Sequence, residues 1–514
     1  MLLNNIEEKQ MSKKKRKATK WIMFARVLLA IQAIMSIVII VMAGKTKMLP
    51  IKFVVLITLV FLILEGLVFV LAYFRQNRRH PNKSSYFKRG LGTFISVLVI
   101  IGCVFGTSVL GKFMGTIDSM TGDKTVMEEK VGVYVLDDDP AKTIDDAKDY
   151  KFAVTKAYGY EGTQACVDQI NDKLDTEIST GEYDSAIDMV DALYSGNVKA
   201  LILNESYESI ITDAEGYEDF GTRTRIIYEY KKTYEVEKKK NDVKVTKEPF
   251  IVYVSGSDTR SKKLAKSRSD VNILAVVNPK SRQVLLISTP RDYYVNTTVS
   301  GDSKDKLTHC GLYGIDCSMQ TLANLYDIKE INYYTQINFT GFETLIDQIG
   351  GVTVYSDATF TSSDYPEFKY VKGDNELDGK RALAFVRERY HLGDGDNARG
   401  RHQMAVIKAV IDKMTSSTTL LTNYSGIMDS LEGMVSTDFQ SDDISALINM
   451  QLSDGGGWDV KSFSTTGEGA SRKTYSMPKQ NAYVTIPDES SVDQAKLLIQ
   501  KVMNGETVTD SDLK

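Results

Sequence analysis

Acidic and guanidinium side chains crowd into three stretches of this chain. The first is IVYVSGSDTR, residues 251–260, an apolar strand running into a Gly/Ser turn that carries Asp258 and Arg260. The second is SRSDVNILAVVNPKSRQVLLISTPRDYYV, residues 267–295, with Arg268 and Asp270 near its start and Arg291 and Asp292 near its end. The third is LDGKRALAFVRERYHLGDGDNARGRHQMAVIKAVIDKM, residues 377–414, which holds Arg387, Arg389, Arg399 and Gln403. Guanidinium groups grip phosphate oxygens through paired bonds. Carboxylates hold a hard cation through oxygen, leaving water and phosphate to complete the octahedron. These residue types together imply a diphosphate pocket, with Asp258 and Asp270 as ligands to Mg²⁺ or Mn²⁺. The plain alternative is a set of unrelated salt bridges.

A pocket requires that distant stretches meet. In the second stretch, VNILAVV and QVLLIS flank the turn Asn278-Pro279-Lys280-Ser281 and read as a hairpin. If Val277 faces Gln283, Asp270 lies opposite Pro290 and beside Arg291, with facing residues about 5 Å apart. Arg268 and Asp292 fall at the same end. Arg387 and Arg389 are two apart, so on a strand they share a face. Asp396 or Asn397 can cap a helix whose apolar residues Val406, Ile407, Val410 and Met414 form a buried stripe. Arg399 and Gln403 then lie one turn apart near its N-terminus, where backbone N–H groups favour an anion.

The chain has 514 residues, enough for several domains, and a composition that excludes wholesale disorder. Its 63 basic and 67 acidic residues give a net charge of −4, which excludes nucleic-acid binding by bulk charge. Four cysteines cannot staple the fold, and four scattered histidines give no zinc spacing. Ser255 and Ser257 lack the elbow of a serine hydrolase. Cys310 and Cys317 lie in HCGLYGIDC, where an oxidising compartment would permit a bridge.

The apolar residues are unevenly spread. Three runs, Val27 to Ala43, Ile51 to Phe74 and Leu91 to Leu110, each approach the roughly 20 residues that cross a bilayer as helix. Eight Lys/Arg precede the first run and six lie between the second and third, against two in the link from Gly44 to Pro50. The more basic flanks stay in the cytoplasm. This predicts a cytoplasmic basic arm (1–20), three membrane helices (21–110) and export of residues 111–514. No A-x-A cleavage site marks the first run as a signal peptide. Residues 111–130 read as a linker. Strand patterns at 131–136, 151–154, 198–203 and 225–230 alternate with helical spacing at 162–178 and 183–193, a small α/β unit over 131–247 with no phosphate loop or metal cluster. Its last part, Lys231 to Lys247, is a charge run that reads as solvated strand or linker. The segment 481–503 reads as strand, N-cap and amphipathic helix.

Several spaced motifs in order, GSDTR, SRSD, STPRD, KLTH (306–309), INFTGFETLIDQIGGV (337–352), ALAFVRER (382–389) and DNARGRHQ (396–403), resemble the LytR–CpsA–Psr family of bacterial envelope proteins. The resemblance covers 250–510. The three spans and the extra domain resemble its CpsA-like subgroup. It implies an α/β–α sandwich over 248–510 with a central mixed sheet and an apolar channel, which Ala405 to Met414 and Phe342 to Ile349 could line. It implies transfer of a glycopolymer (capsule, teichoic acid or another wall polymer) from an undecaprenyl-diphosphate carrier to peptidoglycan. Asp258 and Asp270 match the family's Mg²⁺-associated acids. Arg268, Arg291, Arg387, Arg389, Arg399 and Gln403 match its diphosphate-binding positions. His402 stands where the family usually has Gln, and a catalytic base is not expected there. Asp292 is the expected proton acceptor. Two other classes remain: an envelope-linked transcriptional regulator, and an adaptor that binds lipid-linked polymer without turnover. A hydrolase releasing free polymer is a further enzyme reading.

Overall fold

The computed structural model describes residues 2–72, 83–121, 124–156, 159–257, 263–393, 395–416, 430–431 and 433–514. The chain divides into two units: residues 1–118 with 441–455, and residues 119–440 with 456–514.

The first unit is helical. Helices α1 (Leu2–Lys45), α2 (Ile51–Ala72) and α3 (Lys83–Thr121) contain three stretches long and apolar enough to cross a membrane: Lys20–Lys45, Ile51–Ala72 and Tyr86–Lys112. Their large apolar side chains, among them Phe24, Ile34, Leu62, Ile63 and Phe105, are mostly exposed. Such a surface suits lipid and not water. A small seam of Ala25, Val68 and Ala72, with Leu29 and Ile95 against it, joins the helices. Small residues let backbones approach where lipid supplies no hydrophobic drive between helices. The helix Ser441–Asp454 belongs to this unit, and Lys47 Nζ in the α1–α2 link reaches Asp442 Oδ2 at 2.8 Å. Residues 111–130 differ from the expected linker. The third helix runs on to Thr121 and a strand begins at Lys124.

Among the described residues, the second unit holds two large sheets and four two-stranded ones. The first has five strands, β1 (Lys124–Leu136), β2 (Lys151–Thr155), β3 (Ser179–Tyr183), β4 (Ala200–Asn204) and β5 (Thr224–Glu237), in the order β3-β2-β4-β1-β5. The inner strands β2 and β4 are buried, while β3 is a short polar edge strand that hydrophobic patterning does not detect. The run expected as solvated strand or linker is the outer half of β5, paired with β1 out to Lys124↔Glu237, and then irregular chain.

The second sheet carries the chemistry. Its strands are β6 (Phe250–Ser257), β7 (Ser269–Asn278), β8 (Gln283–Ser288), β9 (Tyr333–Asn338), β10 (Val435–Thr437) and β11 (Asp459–Ser464), in the order β10-β9-β6-β7-β8-β11. Pairing is mixed: β9 is parallel to β6, β11 is parallel to β8, and the remaining pairs are antiparallel. The apolar runs of β6, β7 and β8 are continuous because both faces are covered. On one face Ile251, Tyr253, Leu274, Val276, Leu285 and Ile287 pack with residues from helices Ile315–Leu325 and Glu489–Met503. The helix Asp396–Ser416 packs against β7, β8 and β11. Asp488 caps the last helix by accepting from Ser490 N, as the 481–503 pattern predicts. The α/β architecture with three apolar N-terminal helices is thus as expected. Cys310 and Cys317 are buried free thiols.

Two glycines allow the close approaches that frame the site. A Cβ on Gly311 would collide with the Ser267 carbonyl and sit 2.8 Å from Ser269 N. A Cβ on Gly400 would sit 2.6 Å from Ser288 Oγ, at the end of β8. Gly311 therefore lets the segment after KLTH lie against the start of β7, and Gly400 lets the 396–416 helix begin over the end of β8.

Candidate functional site

Asp270 is the second residue of β7, and Arg291 follows the end of β8 by three residues. The hairpin register differs from expectation by one residue: Val277 pairs with Val284 and Asn278 with Gln283. The turn residue Asn278 accepts from Lys280 N and Ser281 N, which shortens the connection. Extending the register sets Asp270 opposite Arg291 itself. Arg291 Nη1 donates to Asp270 Oδ1 at 3.0 Å, and Thr308 Oγ1 donates to the same oxygen at 3.3 Å. Burial alone would raise the Asp270 carboxyl, but Arg291, Arg268 and Arg399 outweigh it and hold it below the usual carboxylate range. Asp270 and Asp292 in turn push Arg291 up against the cost of its own burial.

The 396–416 helix supplies Arg399 and Gln403, both buried. Asp396 is its first residue and pairs with Arg399 Nη2 at 2.5 Å. Burial draws the Arg399 guanidinium down against the pull of Asp396. Gln403 Nε2 donates to the Val386 carbonyl at 3.4 Å, linking this helix to the R-E-R segment. Within the expected stripe, Val406 is buried, Val410 and Met414 are partly buried, and all three pack into one core cluster, which Ile407 does not join.

Arg387 and Arg389 are not on a strand. Arg387 ends the helix Gly379–Arg387, and Glu388 turns the chain to an extended conformation at φ −62°, ψ 135°. Amphipathic helix spacing across ALAF decides the local structure here, and the two arginines are brought together by the turn instead of a pleat. Glu388 makes that turn. It is buried and accepts from Ser363 N, Ser363 Oγ, Arg389 N and His391 N. Burial works against its charge, yet these bonds keep its carboxyl below the usual value. Arg387 lies over the Phe339 ring at 4.9 Å and pairs with Asp364.

A second set of charges stands beside the first. Arg291 Nε is 3.4 Å from Asp292 Oδ2, and Lys306 Nζ is 3.5 Å from Asp292 Oδ1. Lys306 also donates to Asp213 Oδ2 at 2.9 Å, and Arg268 Nη1 to Asp213 Oδ1 at 3.0 Å. Buried His309 pairs with Asp305 at 2.8 Å. The KLTH segment thus contributes Lys306, Thr308 and His309. It is stitched to 291–295 by Leu307 N to the Tyr293 carbonyl and Thr308 N to the Arg291 carbonyl. Sequence reading singled out KLTH as a motif but gave its residues no role. Glu388 likewise lies inside the ALAFVRER motif without a role, and Asp213 carries no sequence signal at all.

Among the described residues, two sizeable cavities open at this cluster. One of about 310 Å³ is lined by Arg268, Asp270, Arg291, Arg387, Arg389, Arg399 and Gln403, with Val271 and Phe339 as apolar wall. The other, about 520 Å³, is lined by Asp292, Asp396, Asn397, Tyr390 and Tyr483, and meets the first at Arg389 and Tyr390. The expected guanidinium residues and Asp270 therefore converge on one cavity, while Asp292 faces its neighbour. Phe342, Leu345, Val410 and Met414, from the two segments expected to line a channel, are partly buried in the cluster that includes Phe339. His402 turns away from both cavities. It stacks on Phe385 at 4.1 Å and Phe360 at 5.2 Å, and burial draws its imidazole below the usual value. Asp258 and Arg260 lie outside the described residues. For a divalent cation the described residues supply Asp270, whose two hydrogen bonds both fall on Oδ1. An oxygen donor beside several guanidinium groups fits a cation that is shared with a phosphate.

The model of the LytR_cpsA_psr family matches residues 221–500. A relative from Enterococcus faecalis, a polyisoprenyl-teichoic acid–peptidoglycan teichoic acid transferase TagU, is 36% identical over 218 residues, or 41% of this chain and 70% of that protein. A TagU of Bacillus cereus is 34% identical over 203 residues, 39% of this chain and 64% of that protein. Among solved structures, B. subtilis TagV aligns at 26% identity with TM-score 0.42, covering 51% of this chain and 99% of that one. TagT bound to LI-WTA aligns at 27% identity with TM-score 0.41, covering 52% and 95%. With more than half its length matched and its motif residues gathered at one cavity, the chain belongs to the LytR_cpsA_psr family.

Proposed function

We propose that this protein is a membrane-anchored phosphotransferase that moves a wall glycopolymer from an undecaprenyl-diphosphate carrier to peptidoglycan. The observation that carries the reading is the cavity where Arg268, Arg291, Arg387, Arg389 and Arg399 converge with Asp270. Five cations against two carboxylates, Asp270 and Asp364, leave a net positive lining that suits an anionic diphosphate, and the paired N–H groups of the arginines suit phosphate oxygens. The named activity of the TagU relatives supports the same chemistry.

In the reaction, a sugar hydroxyl of peptidoglycan attacks the sugar-linked phosphorus. The bond to the bridging oxygen breaks, and undecaprenyl phosphate leaves. Mg²⁺ or Mn²⁺, held by Asp270 and Asp258, would neutralise charge on the diphosphate. The arginines bind and orient the non-bridging oxygens, and stabilise charge on the leaving phosphate. Phe339 and Val271, with Phe342, Leu345, Val410 and Met414 beyond, supply an apolar path for the start of the lipid. Asp292, which lines the neighbouring cavity, would accept the hydroxyl proton. The spans hold the protein where a lipid-linked donor resides. The charge bias of their flanks favours a cytoplasmic N-terminus and an outward-facing main unit. Capsule and teichoic acid both satisfy this chemistry as the polymer.

The test is a reconstitution of the full chain in vesicles with a lipid-diphosphate oligosaccharide, peptidoglycan and the divalent cation. Attached polymer and released undecaprenyl phosphate are measured together. Attachment lost in Asp270→Ala and Arg291→Ala supports transfer. Donor binding without attachment would replace it with the adaptor reading, and free polymer without attachment would make the protein a hydrolase.

A further inference from the structure

Asp213 comes from the five-stranded domain, yet both its oxygens are engaged by residues of the diphosphate site. Oδ1 accepts from Arg268 at 3.0 Å and Oδ2 from Lys306 at 2.9 Å, while His309 Nε2 stands 4.0 Å away. Arg268 lines the 310 Å³ cavity, and Asp213 is not among its described lining residues. The carboxylate therefore supports the guanidinium from the side away from the ligand. Lys306 passes the link onward to Asp292, and Asp292 to Arg291. Burial would raise the Asp213 carboxyl, but Lys306, Arg268 and His309 together keep it below the usual range.

The placement is rigid. Asp213 follows the short helix Glu208–Thr212, whose Ile210 and Ile211 are fully buried, as is Ala214. These residues share one hydrophobic cluster with Leu312, Met477 and Ala482 of the six-stranded domain. The two domains thus have a common core around the segment that carries Asp213. Lys306 has only 4% of its side chain exposed, and a buried ammonium needs its paired acids.

Resting on the proposed donor chemistry, we infer that the five-stranded domain completes the diphosphate site, with Asp213 as the positioning residue that fixes Arg268 and Lys306. The domain is then part of the transferase centre and not a spacer. Removing the Asp213 charge takes away the carboxylate that Arg268 and Lys306 share and leaves Lys306 with Asp292 at 3.5 Å, so donor binding weakens before the reaction step does.

The experiment uses the full chain in detergent, with geranylgeranyl diphosphate as probe for binding and the lipid-diphosphate oligosaccharide for turnover. Asp213→Asn is expected to weaken probe binding and raise donor KM about tenfold, the effect of losing one charge-assisted bond behind the guanidinium, with a smaller change in kcat. Asp213→Glu, which keeps the charge, is expected to recover most of the loss. Glu182→Gln, which breaks the exposed pair with Lys156 inside the five-stranded domain, is the control and leaves both unchanged. A double-mutant cycle with Arg268→Gln is expected to be strongly non-additive. Wild-type binding with equal binding by Asp213→Asn overturns the inference alone. So does a loss in Asp213→Asn that Asp213→Glu fails to recover and that adds independently to Arg268→Gln. No binding of the probe by wild type overturns the donor reading, and the inference with it.

Discussion

At the residue scale, Asp270 and Arg291 are the pair on which the site turns. They sit 21 residues apart in sequence and 3.0 Å apart in space, because a tight turn folds β7 onto β8. Lysine in place of Arg291 would retain the charge but lose the planar fork that serves Asp270, Asp292 and a phosphate together. Arg291→Lys is expected to lower kcat/KM by about 10²-fold, the size typical of losing a preorganised donor to developing charge, with little change in melting temperature. The Asp270 carboxyl is held below its unfolded value near 3.9. Its contribution to stability is therefore present above about pH 4 and is lost as pH falls through the folded value. Wild type should lose melting temperature between about pH 4 and pH 2 more steeply than Asp270→Asn, as calorimetry at fixed ionic strength would report.

At the element scale, glycine and burial decide where side chains can stand. Gly311 has backbone on the far side, at Ser267 and Ser269, with no flexible side chain to yield. Gly311→Val is expected to push apart the KLTH segment and the start of β7, displacing Arg268 and Thr308. A drop in donor affinity larger than any change in secondary structure by circular dichroism would report it. His402 faces the opposite way, into an aromatic core. Its folded value lies below the unfolded one near 6.5. The neutral ring is favoured on folding, so its contribution is complete above about pH 6.5 and declines as pH falls. Between pH 7.5 and 5.5 the melting temperature of wild type should fall further than that of His402→Gln, and activity at pH 7.5 should match between them. The same elements explain what was legible in sequence. The hairpin could be read because β7 and β8 are unbroken apolar runs joined by Asn-Pro-Lys-Ser, though its register was off by one where Asn278 tightens the turn. The R-x-R spacing suggested a strand because two-residue periodicity is all that a pair of arginines can show. The helix that ends at Arg387 is set by its apolar face against the core, and the turn after it by Glu388. Asp213 could not be found at all. Nothing local distinguishes it from any acid after a short helix, and its partners lie 55 and 93 residues away.

For the whole molecule, the three apolar helices give a testable orientation. Lys47→Cys, in the α1–α2 link, should react with a membrane-impermeant maleimide added outside intact cells, whereas Ser12→Cys should react only after permeabilisation. The reverse pattern would place the diphosphate site on the wrong side for wall assembly. The common core of the two sheet domains has a separate implication for how genetic results on such a chain are read. Excising residues 131–247 would strip the cover from Leu312, Met477 and Ala482 and take Asp213 away from both Lys306 and Arg268. The shortened product would be a crippled enzyme, so a phenotype from that deletion would say nothing about a separate regulatory duty of the missing piece.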